Sequence, residues 1–309
     1  MRILFWGTPA FAVPSLRALD DEGFDVVGVV TQPDRPAGRG RRPRASQVKS
    51  VALDLGIEVL TPESPRADGF LDRVRSLGAD LSVVVAYGHI LSDEMLAAPP
   101  LGSINVHASL LPELRGAAPV SWAIARGHDK TGVTVMRMVR EMDAGPIIHQ
   151  VEEPILSDES ASELAIRLSE LGAEALVEAL ALMSAGAAQE REQDHASATF
   201  APKVDRETAR IDWTKPALEI SRHVRAMDEA PGAWAILDRE PLKLFRPRVE
   251  AWAGARKPAG TVLSLEGDLL VAAGSGAVGF AEVQPSGGRR MSASDWVRGR
   301  RVEVGQRLE

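Results

Sequence analysis

Apolar positions along this chain follow two rhythms. Residues 2–6, 26–31 and 81–86 are short, almost continuously apolar runs, the pattern of strands buried on both faces. Residues 14–19, 47–55 and 70–77 space their apolar positions as helices do, and a short strand is predicted near Ile57. This βαβ alternation predicts a doubly wound, Rossmann-like α/β domain with a parallel sheet covered by helices, whose ligands sit at the carboxyl ends of the strands. Further along, the pattern predicts a helix over 119–126, strands over 133–138 and 147–151, and a long amphipathic helix over 160–184. Leu164, Leu168, Leu171, Leu176, Val177 and Leu180 form its packing stripe.

From Ile211 the rhythm changes. One short helix (217–227) is followed by strands over 234–237, 242–245, 260–265, 269–273 and 278–283 with turn residues between them, which predicts a small β-barrel. Residues 186–204 are polar and strand-poor and read as a linker. A length of 309 residues agrees with two domains, 1–185 and 205–309.

Composition removes several classes. With 45% apolar and 26% charged residues the chain is an ordinary globular protein. It has no cysteine, which excludes disulfides, thiolate nucleophiles and cysteine zinc sites. The first residues lack the apolar core of a signal peptide, and no later run reaches the roughly 18 residues of a membrane span, so a cytoplasmic protein is expected. The net charge of -7 argues against a polyanionic partner, but its distribution does not. Between Asp34 and Lys49, Arg35, Arg39, Arg41, Arg42, Arg44 and Lys49 face the single acid Asp34. This basic loop reads either as a solvated surface segment or as an arm, irregular until bound, that grips an RNA backbone.

Candidate chemistry concentrates in residues 103–119, Ser-Ile-Asn-Val-His-Ala-Ser-Leu-Leu-Pro-Glu-Leu-Arg-Gly-Ala-Ala-Pro. Strand alternation sets Asn105 and His107 on one face, with Ile104 and Val106 on the other. An amide donor beside an imidazole can hold a developing oxyanion and manage a proton, which suits acyl transfer to an amine. Two satisfied polar residues at a strand end are the alternative. Met142-Asp143-Ala144-Gly145 interrupts an apolar pattern with a turn in which glycine permits a close approach to a ligand; an ordinary Asp turn is its alternative. Gly274 to Gly279 matches the dinucleotide fingerprint but is followed by a β-like run and Pro285, so it reads as a turn. Ser109 beside His107 lacks the elbow of a nucleophilic serine. The other histidines (His89, His128, His149, His195 and His223) show no ligand spacing, and no metal is expected.

Segment 103–119, together with 5–12 (Phe-Trp-Gly-Thr-Pro-Ala-Phe-Ala), 31–40 (Thr-Gln-Pro-Asp-Arg-Pro-Ala-Gly-Arg-Gly) and Asp143 to Gly145 in the same order, resembles the folate-dependent formyltransferases, specifically their methionyl-tRNA branch. The resemblance covers nearly the whole chain. It implies an enzyme of translation initiation that takes the formyl group of 10-formyltetrahydrofolate to methionyl-initiator tRNA. The implied roles are an amide donor at Asn105, an imidazole donor or proton shuttle at His107 and an orienting carboxylate at Asp143. It further implies a folate pocket of Tyr87, Gly88, Ile90, Leu91, Ser109, Leu110, Leu111 and Pro112, mostly through backbone groups. Arg35, Arg39, Arg41, Arg42 and Arg44 would contact tRNA, as would an OB-like C-terminal barrel opened by Arg225-Ala226 and residues 231–234; the protein is expected to be monomeric. The departures are local: Trp6 is larger than the family pattern, Ala10 replaces an acid, His89 is unusual and Ser92 replaces a proline. A formyltransferase of the same fold acting on an amino sugar or a phosphoribosyl amine shares the three polar residues, but needs neither basic loop nor barrel. A non-catalytic tRNA-binding protein would be expected to lose one of the three, and a nicotinamide oxidoreductase needs paired glycines that Gly7-Thr8-Pro9 lacks.

Overall fold

The short apolar runs pair with one another, as buried strands must when their side chains leave no face for water. In the computed structural model, which describes residues 1–37, 42–299 and 302–309, the chain divides into two compact units. The first comprises Met1–Pro119, Lys130–Pro154 and Ala165–Ala201; the second comprises Val120–Asp129, Ile155–Leu164 and Pro202–Glu309.

The first unit begins with β1 (Arg2–Gly7), α1 (Val13–Asp21), β2 (Asp25–Val30), β3 (Arg35–Ala37), β4 (Arg42–Arg44), α2 (Gln47–Asp54) and β5 (Val59–Leu60). It continues through α3 (Phe70–Ser76), β6 (Leu81–Val85), α4 (Asp93–Leu96) and β7 (Ser103–His107), then, past α5 (Pro119–Arg126), which apart from Pro119 belongs to the second unit, through β8 (Lys130–Arg137), β9 (Ile147–Pro154) and α6 (Ala161–Ser184), whose first four residues also belong to the second unit. Seven strands form one sheet in the order β5-β2-β1-β6-β7-β8-β9. Strands β5 to β7 in that order are parallel, and the strand sequence reverses between β1 and β6, where a doubly wound sheet opens its crevice. β8 and β9 run antiparallel, so the parallel expectation fails at this edge. The connection from β8 to β9 is too short for a crossover and permits only a hairpin.

One face of the sheet packs Leu4, Trp6, Val30 and Val84 against Val74 and Leu77 near α3 and Met95 and Leu96 of α4. Trp6 satisfies its indole N–H on Ser82 Oγ at 3.1 Å. On the other face, Gly172 brings α6 within van der Waals reach of Val106 and Val133. That helix starts with a reciprocal cap: Ser160 N donates to Glu163 Oε2 at 2.8 Å, and Glu163 N donates to Ser160 Oγ at 3.4 Å. The backbone bond from Ser160 holds the Glu163 carboxyl below its ordinary value. The strand expected near Ile57 forms at Val59–Leu60 instead. Gly56, at φ 71°, closes α2 with Ile57 N donating to Ala52 O, so Ile57 belongs to the helix cap.

The described flanks of the basic loop are regular rather than irregular, and its middle lies outside the described residues. β3 and β4 form an antiparallel pair with Arg35 opposite Arg44, and Lys49 is ion-paired with Asp34 at 2.8 Å. Prolines at both central positions suit an isolated edge, where no further strand needs their missing N–H.

The second unit contains α7 (Ala217–Ala226), β10 (Trp234–Leu237), β11 (Glu240–Glu250), β12 (Val262–Ser264), β13 (Leu269–Ala272), β14 (Ala277–Pro285), β15 (Met291–Ser292) and α8 (Ala293–Gly299). Its sheet runs β10-β11-β14-β13-β12 with β15 on β14, an open antiparallel half-barrel. Gly274 to Gly276 make the β13–β14 turn, as the sequence predicts. Arg290 stacks over Phe245 at 4.0 Å and pairs with buried Asp228 at 3.0 Å; burial pushes the Asp228 carboxyl up.

Tyr87 is the chain's only tyrosine, lies edge-on to Trp6 at 5.2 Å, and its hydroxyl has no hydrogen-bond partner among the described residues. Burial pushes its phenol up to about 12. The folded state therefore favours the neutral form: stability is insensitive to this group below about pH 10 and falls as pH rises from there towards 12. Absorbance titration at alkaline pH should show no tyrosinate near pH 10 in the native protein. Tyr87→Phe should keep or raise the Tm, because an unpaired buried hydroxyl costs about 1–3 kcal/mol; a marked fall in thermal unfolding would contradict this packing.

Candidate active site

Asn105 and His107 reach the end of β7 on the face that packs against α3 and α4. Asn105 is paired in register with Val84 of β6 and Met136 of β8, and His107 with Thr134. Residues paired in this way share a face, so Asn105 continues the apolar surface of Val84 with an amide. Asn105 is partly exposed, and among the described residues its side chain makes no hydrogen bond. His107 is buried.

The imidazole is held by the turn after the strand. His107 Nε2 lies 3.0 Å from the Leu114 carbonyl oxygen; because that oxygen can only accept, Nε2 carries a proton and donates. Nδ1 then faces Asp143 Oδ2 at 3.8 Å, a contact that is attractive only while Nδ1 is also protonated. Asp143 Oδ2 accepts a hydrogen bond from the Gly116 amide at 2.8 Å. Residues 114–116 therefore fix both members of the pair through backbone groups. The turn has an unusual shape: Leu114 has φ 59°, Gly116 has φ 119°, and a Cβ on Gly116 would lie 2.7 Å from Ala201 O. Leu114 N donates to Thr199 Oγ1 at 2.9 Å, which steadies the strained residue.

Asp143 also has positive φ, 52°, and belongs to a turn whose Gly145 admits no side chain, since a Cβ there would overlap the Arg137 carbonyl. Gln193 spans this turn from outside, donating from Nε2 to Asp143 O at 2.9 Å and to Gly145 O at 2.8 Å. Its Oε1 accepts from Arg115 Nε at 3.1 Å and Nη2 at 2.6 Å. Gln193 and Arg115 are both buried.

The Ser109 to Pro112 turn is fastened to the same sheet face. Thr134 Oγ1 donates to Ser109 O at 2.6 Å and accepts from Leu111 N at 3.1 Å, while Gln150 Nε2 reaches Leu111 O and Thr134 Oγ1 at 3.0 and 2.9 Å. Leu111 packs with Met136 and Ile147, and Leu110 is only partly buried. The 87–91 segment divides. Tyr87 and Leu91 place their side chains in the core, whereas Gly88 and Ile90 are exposed, Ile90 by 66%. The Tyr87 carbonyl is held at the β1–β6 crevice by Thr8 Oγ1 and Gln32 Nε2, both at 3.0 Å. His89 tilts against Tyr87 at 5.5 Å, and its buried Nε2 has no partner among the described residues.

Of the basic residues, Arg35 and Arg44 are exposed on the hairpin; Arg39 and Arg41 lie outside the described residues, as does the side chain of Arg42. In the second unit, Arg225 is buried and donates to Glu159 O at 2.8 Å, while Arg206 and Arg210 lie 5.0 and 5.6 Å over the Trp234 ring. Among the described residues no group of three or more His, Asp or Glu side chains is placed to hold a metal ion, and no helix is long and apolar enough to cross a membrane.

Sequence reasoning missed Gln193, Thr199, Thr134 and Gln150. The only signal for the first pair was Arg115, a cation inside a buried motif that must find acceptors somewhere. They come from the stretch expected to be a linker, which instead bridges Arg191 to Ile147 and buries Gln193 and Ala201 in the first unit.

A family model described as formyl transferase matches residues 1–180, and one described as formyl transferase, C-terminal domain, matches residues 203–301. A methionyl-tRNA formyltransferase of Roseiflexus castenholzii is 46% identical over 309 residues, covering 100% of this chain and 99% of that protein. One of Bacillus cereus is 42% identical over 316 residues, with 100% and 98% covered. Among solved structures, HypX from Aquifex aeolicus in complex with tetrahydrofolic acid superposes with a TM-score of 0.66 at 19% identity, over 99% of this chain and 50% of that one; this chain thus spans about half of HypX. A methionyl-tRNA formyltransferase from Clostridium thermocellum gives 0.60 at 15% identity, over 81% and 94%. At such identities the likeness of the structures speaks for the fold alone. With both domain models matched and full-length relatives at 42 and 46% identity, the chain belongs to the formyl transferase family, among the methionyl-tRNA formyltransferases.

Proposed function

We propose that this chain transfers the formyl group of 10-formyltetrahydrofolate to the α-amino group of methionyl-initiator tRNA. The observation that carries the reading is the strand end itself: a partly exposed amide at Asn105, without a hydrogen-bond partner among the described residues, on the same face as a buried His107 that is set against Asp143. The folate donor supplies a formyl group on a nitrogen that can leave. The loop after β6 suits its flat ring, because Gly88 exposes backbone and Ile90 exposes an apolar side chain beside the strand that carries Asn105.

Asn105 donates its amide N–H to the formyl oxygen and stabilises the charge that gathers there as the amine attacks, the largest contribution such sites make. His107 keeps Nε2 on Leu114 O, so its Nδ1 edge is the one that takes up and releases a proton against Asp143. A direct bond from Nε2 to the formyl oxygen would require that carbonyl to be exchanged. Asp143, anchored by Gly116 N, stabilises the charged ring and fixes its orientation.

The tRNA reading is supported by charge as well as by the relatives. Arg35 faces Arg44 across the hairpin register, a like-charged pair that is unfavourable alone and is relieved by an anion. Together with Arg39, Arg41 and Arg42 it would grip the phosphate backbone, and the Arg206, Arg210 and Trp234 cluster of the C-terminal half-barrel would add a second basic surface.

The direct test incubates the protein with 10-formyltetrahydrofolate and methionine-charged initiator tRNA and follows formyl-methionine on the tRNA. Transfer is expected; transfer only to a small amine such as an amino sugar would overturn the substrate. Asn105→Ala should lower kcat by about 100- to 1,000-fold with folate binding little changed. Full turnover by Asp143→Asn would remove the role given to that carboxylate. Replacing Arg35 and Arg44 with Ala should raise KM for tRNA, leave kcat intact, and reduce the salt dependence of binding by a slope of about 1 for each phosphate that is no longer neutralised.

A further inference from the structure

We propose that Gln193, clamped by Arg115, is a positioning residue that sets the Asp143 carboxylate against His107. The inference rests on the role of Asp143 given above. Asp143 is held at a positive φ of 52°, a conformation uncommon outside glycine that aspartate tolerates better than most residues, and the bonds around it keep it there. Gly116 N fixes one carboxylate oxygen, but nothing in that single bond fixes the backbone from which the side chain springs. Gln193 does so. Its amide nitrogen has two protons, and its two short bonds are to the turn, at Asp143 O and Gly145 O, with the Met136 sulfur a weaker neighbour at 3.9 Å.

The glutamine could deliver those protons the wrong way round by flipping its amide. Arg115 forbids the flip: its Nε and Nη2 both donate to Oε1, so the oxygen end must face the guanidinium and the nitrogen end must face the turn. Arg115 Nη2 also donates to His195 Nδ1 at 3.1 Å, which adds a third bond to the clamp. Arg115 lies next to Gly116 and Leu114 in the chain. The same short turn therefore anchors His107 through a carbonyl, Asp143 through an amide, and the Asp143 backbone through the Arg115 to Gln193 relay. Such a fixture keeps the 3.8 Å relation of Asp143 to His107 from drifting.

Gln193→Glu tests the relay, because it keeps an acceptor for Arg115 but replaces the two donated bonds with a carboxylate oxygen facing two carbonyls. A displacement of about 1 Å at a catalytic group costs up to about 100-fold. We expect kcat to fall by about 10- to 100-fold with KM for folate and tRNA within about twofold. In an Asp143→Asn background the same change should cost almost nothing more, since a residue that acts through Asp143 has nothing left to position. Losses that multiply in the double variant, or a change in KM alone, would overturn the inference while leaving the role of Asp143 standing. Full activity of Asp143→Asn by itself would instead overturn the underlying reading. Should Gln193→Glu fail to fold, Arg115→Met with Gln193→Met removes both buried partners together and leaves no unpaired charge; it should show the same loss of kcat and the same absence of further loss with Asp143→Asn.

Discussion

One turn of backbone, Leu114 to Gly116, holds the two titratable side chains of the site in relation to each other. Its carbonyl decides which imidazole nitrogen of His107 keeps a proton, and its amide receives the Asp143 carboxylate. Backbone groups carry no rotamer freedom, so a constellation built on them loses less to fluctuation than one built on long side chains. The cost is strain, with Leu114 at positive φ and Gly116 pressed against the 199–201 segment, and the hydrogen bond to Thr199 offsets it.

The sheet supplies what the turn cannot. Asn105 and His107 stand on one face because β7 is fixed on both sides, by β6 in parallel and by β8 in antiparallel register. The opposite face is committed to the core through buried Ile104 and Val106, the latter against Gly172 of α6, and a slip of one residue would exchange a buried isoleucine for the amide. Hydrophobic packing thus sets the register, and the register sets the chemistry. The same sheet face carries Thr134 and Gln150, which fasten the Ser109 to Pro112 turn, so the proposed donor pocket and the proposed catalytic pair share a single support.

How much of this is legible in the sequence follows from the range of each interaction. Asn105 and His107 could be placed together because a strand has a period of two and the pair lies within one short strand. The helices at 47–54 and 161–184 were readable for the same local reason. From its own residues Asp143 was recognisable only as a turn before a glycine, and its role beside His107 came from the family resemblance, since its proximity to His107 depends on the β8–β9 hairpin, whose direction an apolar run does not encode. Gln193 was out of reach: it stands in a polar stretch without periodicity, and its partners lie 50 and 78 residues away. The shift of β5 away from Ile57 shows the converse, a helix cap claiming an apolar residue that periodicity alone gives to a strand.

The proposal that the turn at 114–116 orients the His107 imidazole for catalysis is tested most directly by the protonation of its two nitrogens. Nitrogen-15 NMR of the histidines, with the His107 signals identified by their loss in His107→Gln, reads each ring nitrogen separately. At alkaline pH, where the ring is neutral, the account predicts a protonated Nε2 bound to the Leu114 carbonyl and a bare Nδ1. A proton on Nδ1 with a bare Nε2 would place the ring the other way round and contradict it.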